Sequence, residues 1–117
     1  MNTGYILISE HSVLVFPFNG EIWLTAYQIA DLFEVFPSAV NSNIKSIYKK
    51  GILNISEAQR EHSFRNRITE LYNLRMIIAL AYHLSSRKTE LFRKWIHETI
   101  CFPEMPTLSS CSDLILN

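Results

Sequence analysis

A proline at position 37 divides one long apolar-periodic stretch into two short helices, and this division constrains the fold more than any other feature. The residue before a proline is pushed out of the helical region, so a helix that begins near Thr25 has to end before Pro37. Thr25 can cap the first amides of that helix, and Gln28 can reach back to complete a capping box. The sequence therefore predicts a short helix, a break of about four residues and a second helix, for which Ser38 is the expected cap.

The second helix has one apolar and one polar face. At about 100° per residue the apolar side chains at i, i+4, i+7 and i+8 share a face; they are Val40, Ile44, Ile47 and Tyr48. Gly51 can take the left-handed conformation that ends a helix. The outward face is short, polar and basic, with Ser42, Lys45, Ser46 and Lys49 at its centre and Asn41 and Asn43 at its flanks.

The first twenty-odd residues indicate strands. "YILI" and "VLVFPF" are apolar runs rich in β-branched and aromatic residues, and the short "SEHS" between them is typical of an antiparallel hairpin. Asn19 and Gly20 form a two-residue turn signal, and "EIWL" after it predicts a third short strand. The chain is therefore expected to begin as a small β meander.

The second half of the chain predicts one more strand and two core helices. Ile52 to Asn66 shows little periodicity and is expected to be a loop with at most one helical turn, for which "SEAQ" offers a capping box. "ITELYNL" alternates like a strand, and Asn73 can cap the apolar helix "LRMIIALAYHL". Ser85 or Ser86 is expected to cap a last helix that Pro103 ends. Arg93, Lys94, His97 and Glu98 are predicted to face away from the core on that helix.

These elements together predict the α+β class. At 117 residues and 48% apolar composition the chain suits a single core, expected over residues 1–102 with a Ser- and Pro-containing tail over 103–117. No leader pattern or membrane-spanning apolar run is apparent, which predicts a cytoplasmic protein with no membrane partner. In that reducing compartment Cys101 and Cys111 are expected to be free thiols.

The charges are polarised along a chain whose formal net charge is zero. Residues 1–44 carry four carboxylates and no Lys or Arg, whereas residues 45–94 hold all eleven basic residues against four carboxylates. Such a chain can present a basic face that attracts phosphates within a Debye length of about 8 Å. A set of solvated helix faces explains the same charges, and the sequence leaves both interpretations open.

Catalytic and metal-binding motifs are not apparent in the sequence. His97 and Cys101 have the i, i+4 spacing of two zinc ligands, but no second pair matches them. Three glycines, Gly4, Gly20 and Gly51, cannot form a Gly-rich phosphate loop. The sequence therefore predicts a protein that is not an enzyme and that needs no cofactor or metal.

A helix, a break and a second helix with a polar, basic outer face is the layout of a helix-turn-helix, whose second helix enters the major groove. Short hydrogen-bonding side chains and lysines at that face suit bases and phosphates. Arg65 and Arg67 could touch phosphates from a loop or wing, or lie on a solvated turn. Arg87 and Lys88 begin a helix, where cations are disfavoured, so a phosphate or a nearby carboxylate such as Glu90 should lie beside them. The candidate DNA-binding residues are Ser38, Asn41, Ser42, Asn43, Lys45, Ser46, Lys49, Lys50, Arg65, Arg67, Arg87 and Lys88.

Three stretches, "EIWLTAYQIADLF", "VNSNIKSIYKKGIL" and "LYNLRMIIALAYHLSSRKTELFRKWIHETI", resemble the virulence-associated RhuM family, which in turn resembles the phage KilA-N and Bro-N type DNA-binding modules. The resemblance implies a DNA-associated, regulatory and mobile-element-borne protein without firmly assigned catalytic residues. Family members have a glycine and an arginine where this chain has Ala81 and His83, and a glycine where it has Lys88. They also commonly carry a longer C-terminal part.

The expected partner is duplex DNA, read by the helix around Ser38 to Lys50. The alternative is a non-catalytic protein-interaction module, such as an antirepressor or toxin-associated adaptor, that does not touch DNA. Zero net charge and the acidic first third of the chain favour this alternative. A homodimer is a further possibility, formed through the C-terminal "LILN" and the exposed part of the last helix.

Overall fold

The computed structural model describes residues 3–101, with Cys101 described by its backbone alone. The chain has both strands and helices, so the α+β class is confirmed. The elements in chain order are β1 (Tyr5–Ile8), β2 (Val13–Phe16), β3 (Trp23–Leu24), α1 (Ala26–Phe33), α2 (Pro37–Lys49), α3 (Ile55–Ala58), β4 (Gln59–Phe64), β5 (Arg67–Asn73), α4 (Leu74–Ala81) and α5 (Arg87–Cys101).

The predicted N-terminal hairpin is confirmed, but it does not continue as a meander. β1 and β2 pair antiparallel as a two-stranded sheet. Asn19 and Gly20 both have positive φ, as the predicted two-residue turn requires. The expected third strand, β3, instead pairs with β5 in a second sheet of order β3-β5-β4. Pro17 stands directly after β2, where it removes a backbone donor, so the ladder stops there.

The predicted helix pair is confirmed, apart from the cap of its second member. Thr25 and Gln28 form the expected capping box of α1. Ser38 is not a cap: α2 begins at Pro37, its N-cap is Phe36, and no side chain caps it. The physical reason is that proline suits the first helical position, where its missing N–H would have no partner anyway. Gly51 ends α2 with φ +74°, as predicted.

The polar stretch before β5 was predicted to be a loop, and this prediction was wrong. Gln59–Phe64 form β4, which pairs antiparallel with all but one of the residues of β5. We call the β4–β5 hairpin the wing. The short helix before it is capped by Asn54 and Glu57 rather than by the "SEAQ" box, because Asn54 accepts the amide of Glu57.

α4 is buried at the centre of the domain, as its apolar composition predicted. Met76, Ile77 and Leu80 are fully buried, and Asn73 caps the helix as expected. Ser86 accepts the amide of Thr89 and donates its hydroxyl to the carbonyl of Phe33 (2.7 Å), which fixes the start of α5 against the end of α1.

Arg93 does not face away from the core, contrary to the prediction. Its guanidinium donates to the carbonyl of Ala81 (2.6 Å), the last residue of α4, and to that of Leu84 (3.2 Å) in the connection to α5. The "LILN" segment and Cys111 lie outside the described residues. Within residues 3–101, none of the helices combines the length and the apolar character that a membrane span requires.

Candidate nucleic-acid interface

α2 buries one face and exposes the other. Val40, Ile44 and Ile47 are at most 4% exposed and lie in the shared core, where α2 packs against α1 and α4. The opposite side carries five exposed polar residues at helical spacing, which we call the outward face of α2. They are Ser38, Asn41, Ser42, Lys45 and Lys49.

The outward face carries neutral polar and basic side chains but no acidic one. Residues 35–56 contain no Asp or Glu. Within the described part of the chain, no carboxylate lies within salt-bridge distance of Lys45, Lys49 or Lys50. These ammonium groups therefore have no acidic competitor on their own helix, and a phosphate can pair with them at little desolvation cost.

Two of the predicted contact residues on α2 are less available. Asn43 is half-buried, and its amide nitrogen donates to the carbonyl of Ala39 at 2.8 Å, one turn earlier. Ser46 is also half-buried. Asn41 is exposed, so it is better placed than Asn43 to offer both the donor and the acceptor of its amide to a ligand.

The start of α2 leaves one backbone donor open. Pro37 has no N–H, and the amides of Ala39 and Val40 both donate to the carbonyl of Phe36. The amide of Ser38 finds no acceptor within residues 3–101, and the hydroxyl of the same residue is exposed beside it. Phe36 is 79% exposed directly in front of it.

The wing carries two further predicted cations at its tip. Arg65 and Asn66 connect the strands as a two-residue turn, and both have positive φ. The Arg65 guanidinium lies over the ring of Phe64, 5.2 Å from its centroid. Arg67 pairs with Phe64 as the last step of the ladder. Both arginines are therefore exposed at the end of an antiparallel hairpin, which is the wing that the sequence analysis considered for them.

A chain of side-chain hydrogen bonds connects the end of α2 to the base of the wing. The Tyr48 hydroxyl donates to Oε1 of Gln59 (2.8 Å), and Nε2 of Gln59 donates to Oε2 of Glu70 (2.9 Å). The same oxygen of Glu70 accepts the Tyr72 hydroxyl (3.1 Å). Burial, and then the Glu70 charge, raise the pKa of Tyr48 to about 12 and raise that of Tyr72 well above its usual range. Both hydroxyls therefore stay protonated and keep donating at neutral pH.

Gln59 and Glu70 were missed as positioning residues. No sequence signal could have paired them with Tyr48, because the β4–β5 register sets the Gln59–Glu70 contact and the position of α2 beside β4 sets the Tyr48–Gln59 contact, each across eleven positions of the chain. Arg60 was missed as well. Its side chain reaches across β5 to lie over the Trp23 ring, 4.2 Å from the centroid, and pairs with Glu21 at 3.9 Å, so it connects the two outer strands of the sheet.

Arg87 and Lys88 are not brought together with α2 or the wing. Arg87 pairs with Glu10 of the β1–β2 turn and with Glu90 of its own helix. Lys88 donates from Nζ to the carbonyl of Ile8 at 2.7 Å. The sequence predicted either a phosphate or a carboxylate beside these cations at the start of a helix. The structure places two carboxylates beside Arg87.

Within the described residues, no three His, Cys, Asp or Glu side chains are grouped so that they could hold a metal ion. His97 is exposed on α5, and the side chain of Cys101 lies outside what the structure describes. The molecule is an α+β domain in which the α1–α2 helix pair is followed by the wing. Comparison of the sequence with protein-family models and with curated proteins, and of the fold with solved structures, finds no match.

Proposed function

We propose that this protein binds duplex DNA, with the outward face of α2 in the major groove and the tip of the wing on the neighbouring backbone. The observation that carries the proposal is the outward face itself. Its five polar side chains are exposed together, its lysines have no carboxylate partner among the described residues, and its opposite side is fixed in the core.

The fixed side matters because a reading helix loses affinity if it has to be ordered on binding. Val40, Ile44 and Ile47 hold α2 against α1 and α4, and the Tyr48–Gln59 bond fixes its end relative to the wing. Phosphate contacts by Lys45, Lys49, Arg65 and Arg67 would set the register of the protein on the duplex, and Asn41 and Ser42 would reach base edges.

The proposal includes a regulatory role, as the RhuM-like stretches of the sequence suggest. We expect the domain to act by occupying DNA. The polarity of the chain is compatible with this use, because the first 44 residues hold no Lys or Arg and all the cations of the proposed interface, Lys45, Lys49, Arg65 and Arg67, lie after them.

Fluorescence anisotropy of labelled random duplex DNA across a salt series tests the proposal. We expect binding whose logarithm falls linearly with the logarithm of salt concentration, with a slope that reports the number of phosphate contacts. Absence of binding at low salt, with the protein folded by circular dichroism, would contradict it. Binding that does not weaken with salt would contradict the phosphate contacts.

A further inference from the structure

β1 has an unpaired edge. Among the described residues it pairs with β2 alone. The amide of Ser9 donates to the carbonyl of Ser12 (2.8 Å), which sets the phase of the ladder. Because hydrogen-bonded pairs alternate in an antiparallel ladder, Leu7 bonds to β2, whereas the backbone groups of Ile6 and Ile8 point to the other side. The bond from Lys88 to the carbonyl of Ile8 comes from that side, as this phase requires.

This edge faces an open groove between β1 and α1, which we call the β1 groove. Its volume is about 330 Å³, and all four residues of β1 line it. Lys88 occupies one carbonyl at one end, but no partner for the amide or carbonyl of Ile6 is found within the described residues. Exposed edges of natural sheets are usually protected by charges, bulges or proline. β1 itself has none of these, since "YILI" is uncharged and regular.

The wall opposite β1 is acidic. Asp31 and Glu34 line the groove from the C-terminal end of α1, and both are exposed. The last turn of α1 contains no basic residue, so the negative end of the helix dipole adds to the two carboxylates. Among the described residues that line the groove, Lys88 is the one cation. A phosphate backbone is repelled by such a wall, whereas a Lys or Arg side chain is attracted to it.

The outer surface of the same hairpin is apolar. Tyr5, Leu7, Leu14 and Phe16 are each between 40% and 52% exposed, and the rings of Tyr5 and Phe16 are stacked with their centroids 4.7 Å apart. A strand added beside β1 would extend this surface by its own outward side chains, and cross-strand apolar pairs stabilise such an addition.

We propose that the β1 groove takes an extended basic segment of a partner protein as an antiparallel third strand of the β1–β2 sheet. Its inward side chains are Lys or Arg facing Asp31 and Glu34, and its outward side chains are apolar beside Tyr5 and Leu7. This is recognition by strand addition, in which main-chain bonds supply affinity and alternate side chains supply specificity. A second copy of the chain is a poorer occupant, because "YILI" offers no cation to the two carboxylates.

The test uses a short fluorescein-labelled peptide of alternating valine and lysine. In the proposed pairing, residues opposite Ile6 and Ile8 share their inward face, so the lysine amides point at β1 and the valine amides point at solvent. N-methylation of the lysine amides should therefore abolish binding, and N-methylation of the valine amides should leave it within about twofold. Equal binding of both methylated peptides, or loss with the valine-methylated one alone, would overturn the proposal.

The acidic wall is tested by the double variant Asp31→Asn with Glu34→Gln. We expect it to bind the peptide at least about fivefold more weakly, by analogy with other exposed charge pairs at an interface. The control, Glu61→Gln with Glu98→Gln, removes the same charge from exposed carboxylates elsewhere and should bind as the native protein does. An equal loss of peptide affinity in both double variants would show that binding depends on the net charge of the protein alone, and would contradict a specific site at Asp31 and Glu34.

Light scattering tests whether a second copy of the chain, rather than a partner protein, fills the β1 groove. A monomer that binds the peptide supports the proposal, whereas a dimer that the peptide dissociates would show that a second copy fills the groove and would overturn it. The variant Asp31→Asn with Glu34→Gln leaves α2 and the wing unchanged, so its DNA binding is an independent result: peptide binding and DNA binding can fail separately.

Discussion

The hydroxyl of Tyr48, in the last turn of α2, donates to Oε1 of Gln59, the first residue of β4, at 2.8 Å. This bond joins the proposed reading helix to the wing across a turn and a short helix of the chain. Because Nε2 of Gln59 also donates a hydrogen bond to Oε2 of Glu70 on β5, these contacts connect α2 to both strands of the wing. The angle between α2 and the wing is therefore set by side chains as well as by the backbone that connects them.

Replacing Tyr48 by Phe removes this connection and keeps the ring that packs against the core. We expect the free energy of unfolding to fall by about 1 kcal/mol, the usual net contribution of a partly buried hydrogen bond. Urea denaturation followed by circular dichroism measures it. Tyr27→Phe is the matched control, because Tyr27 is 74% exposed on α1; equal destabilisation by the two variants would contradict a structural role for the Tyr48 hydroxyl.

The pKa of Tyr48 predicts an alkaline transition. Its pKa is raised from 10.0 to about 12, chiefly by burial and then by the Glu70 charge. The stability that the protonated hydroxyl contributes is therefore fully present below pH 10 and is lost as pH rises toward 12. Tyrosinate absorbance of the native protein and of Tyr48→Phe should differ by one late-titrating group, and a difference that titrates near pH 10 would contradict the assignment.

The double variant Lys45→Ala with Lys49→Ala tests the outward face of α2. We expect DNA affinity to fall several fold, the salt dependence to flatten by roughly two phosphate contacts and the fold to stay intact, because both side chains are exposed. The matched comparison is between Lys49→Ala on α2 and Lys94→Ala, which removes an exposed lysine of α5 outside the proposed interface. An unchanged affinity in the double variant would remove α2 from the interface.

The tip of the wing is tested by Arg65→Asn with Arg67→Gln. Asn tolerates the positive φ at position 65, so the turn should survive while both charges are lost. We expect weaker DNA binding and a salt slope shallower by up to two contacts, measured by anisotropy. Asn66→Gly retains the charges and the turn and should bind normally. If the arginine variant also binds normally, the wing does not touch DNA.

Arg87 is expected to act within the domain rather than at the interface. Its hydrogen bond to Glu10 lowers the pKa of that carboxyl, so the stability from the pair is present above pH 4.5 and is lost as pH falls below that value. Arg87→Gln should lower Tm slightly at neutral pH and leave DNA binding nearly unchanged, and the Tm difference should vanish in acid. A large loss of DNA affinity would return Arg87 to the interface.

Local signals predicted the helix pair well. Thr25, Gln28, Pro37 and Gly51 act through contacts within a few residues, so the limits of α1 and the end of α2 could be derived without the rest of the chain. The error at Ser38 has the same origin: a side-chain cap was expected where proline at the first helical position makes one unnecessary.

The wing could not be derived in the same way. β4 is polar on both sides because the hairpin extends beyond the core, so the alternation that marks a half-buried strand is missing. Its strand character comes from pairing with β5, which is a relation between two segments. The contacts of Arg93 at the end of α4 are likewise non-local, and an arginine on a helix gives no sign of which carbonyls it will meet.

The sequence by itself determined the α+β class, the amphipathic faces of α2 and the polarity of charge along the chain, because periodicity, capping and composition are local properties. Only the tertiary structure decided that β3 joins β5 rather than β2, that Tyr48 and Gln59 fix the wing to α2, and that Arg87 and Lys88 bind β1 and its turn. The physical reason is that strand partners and long-range hydrogen bonds are chosen by the packing of the whole core, in which every segment competes for the same buried surface.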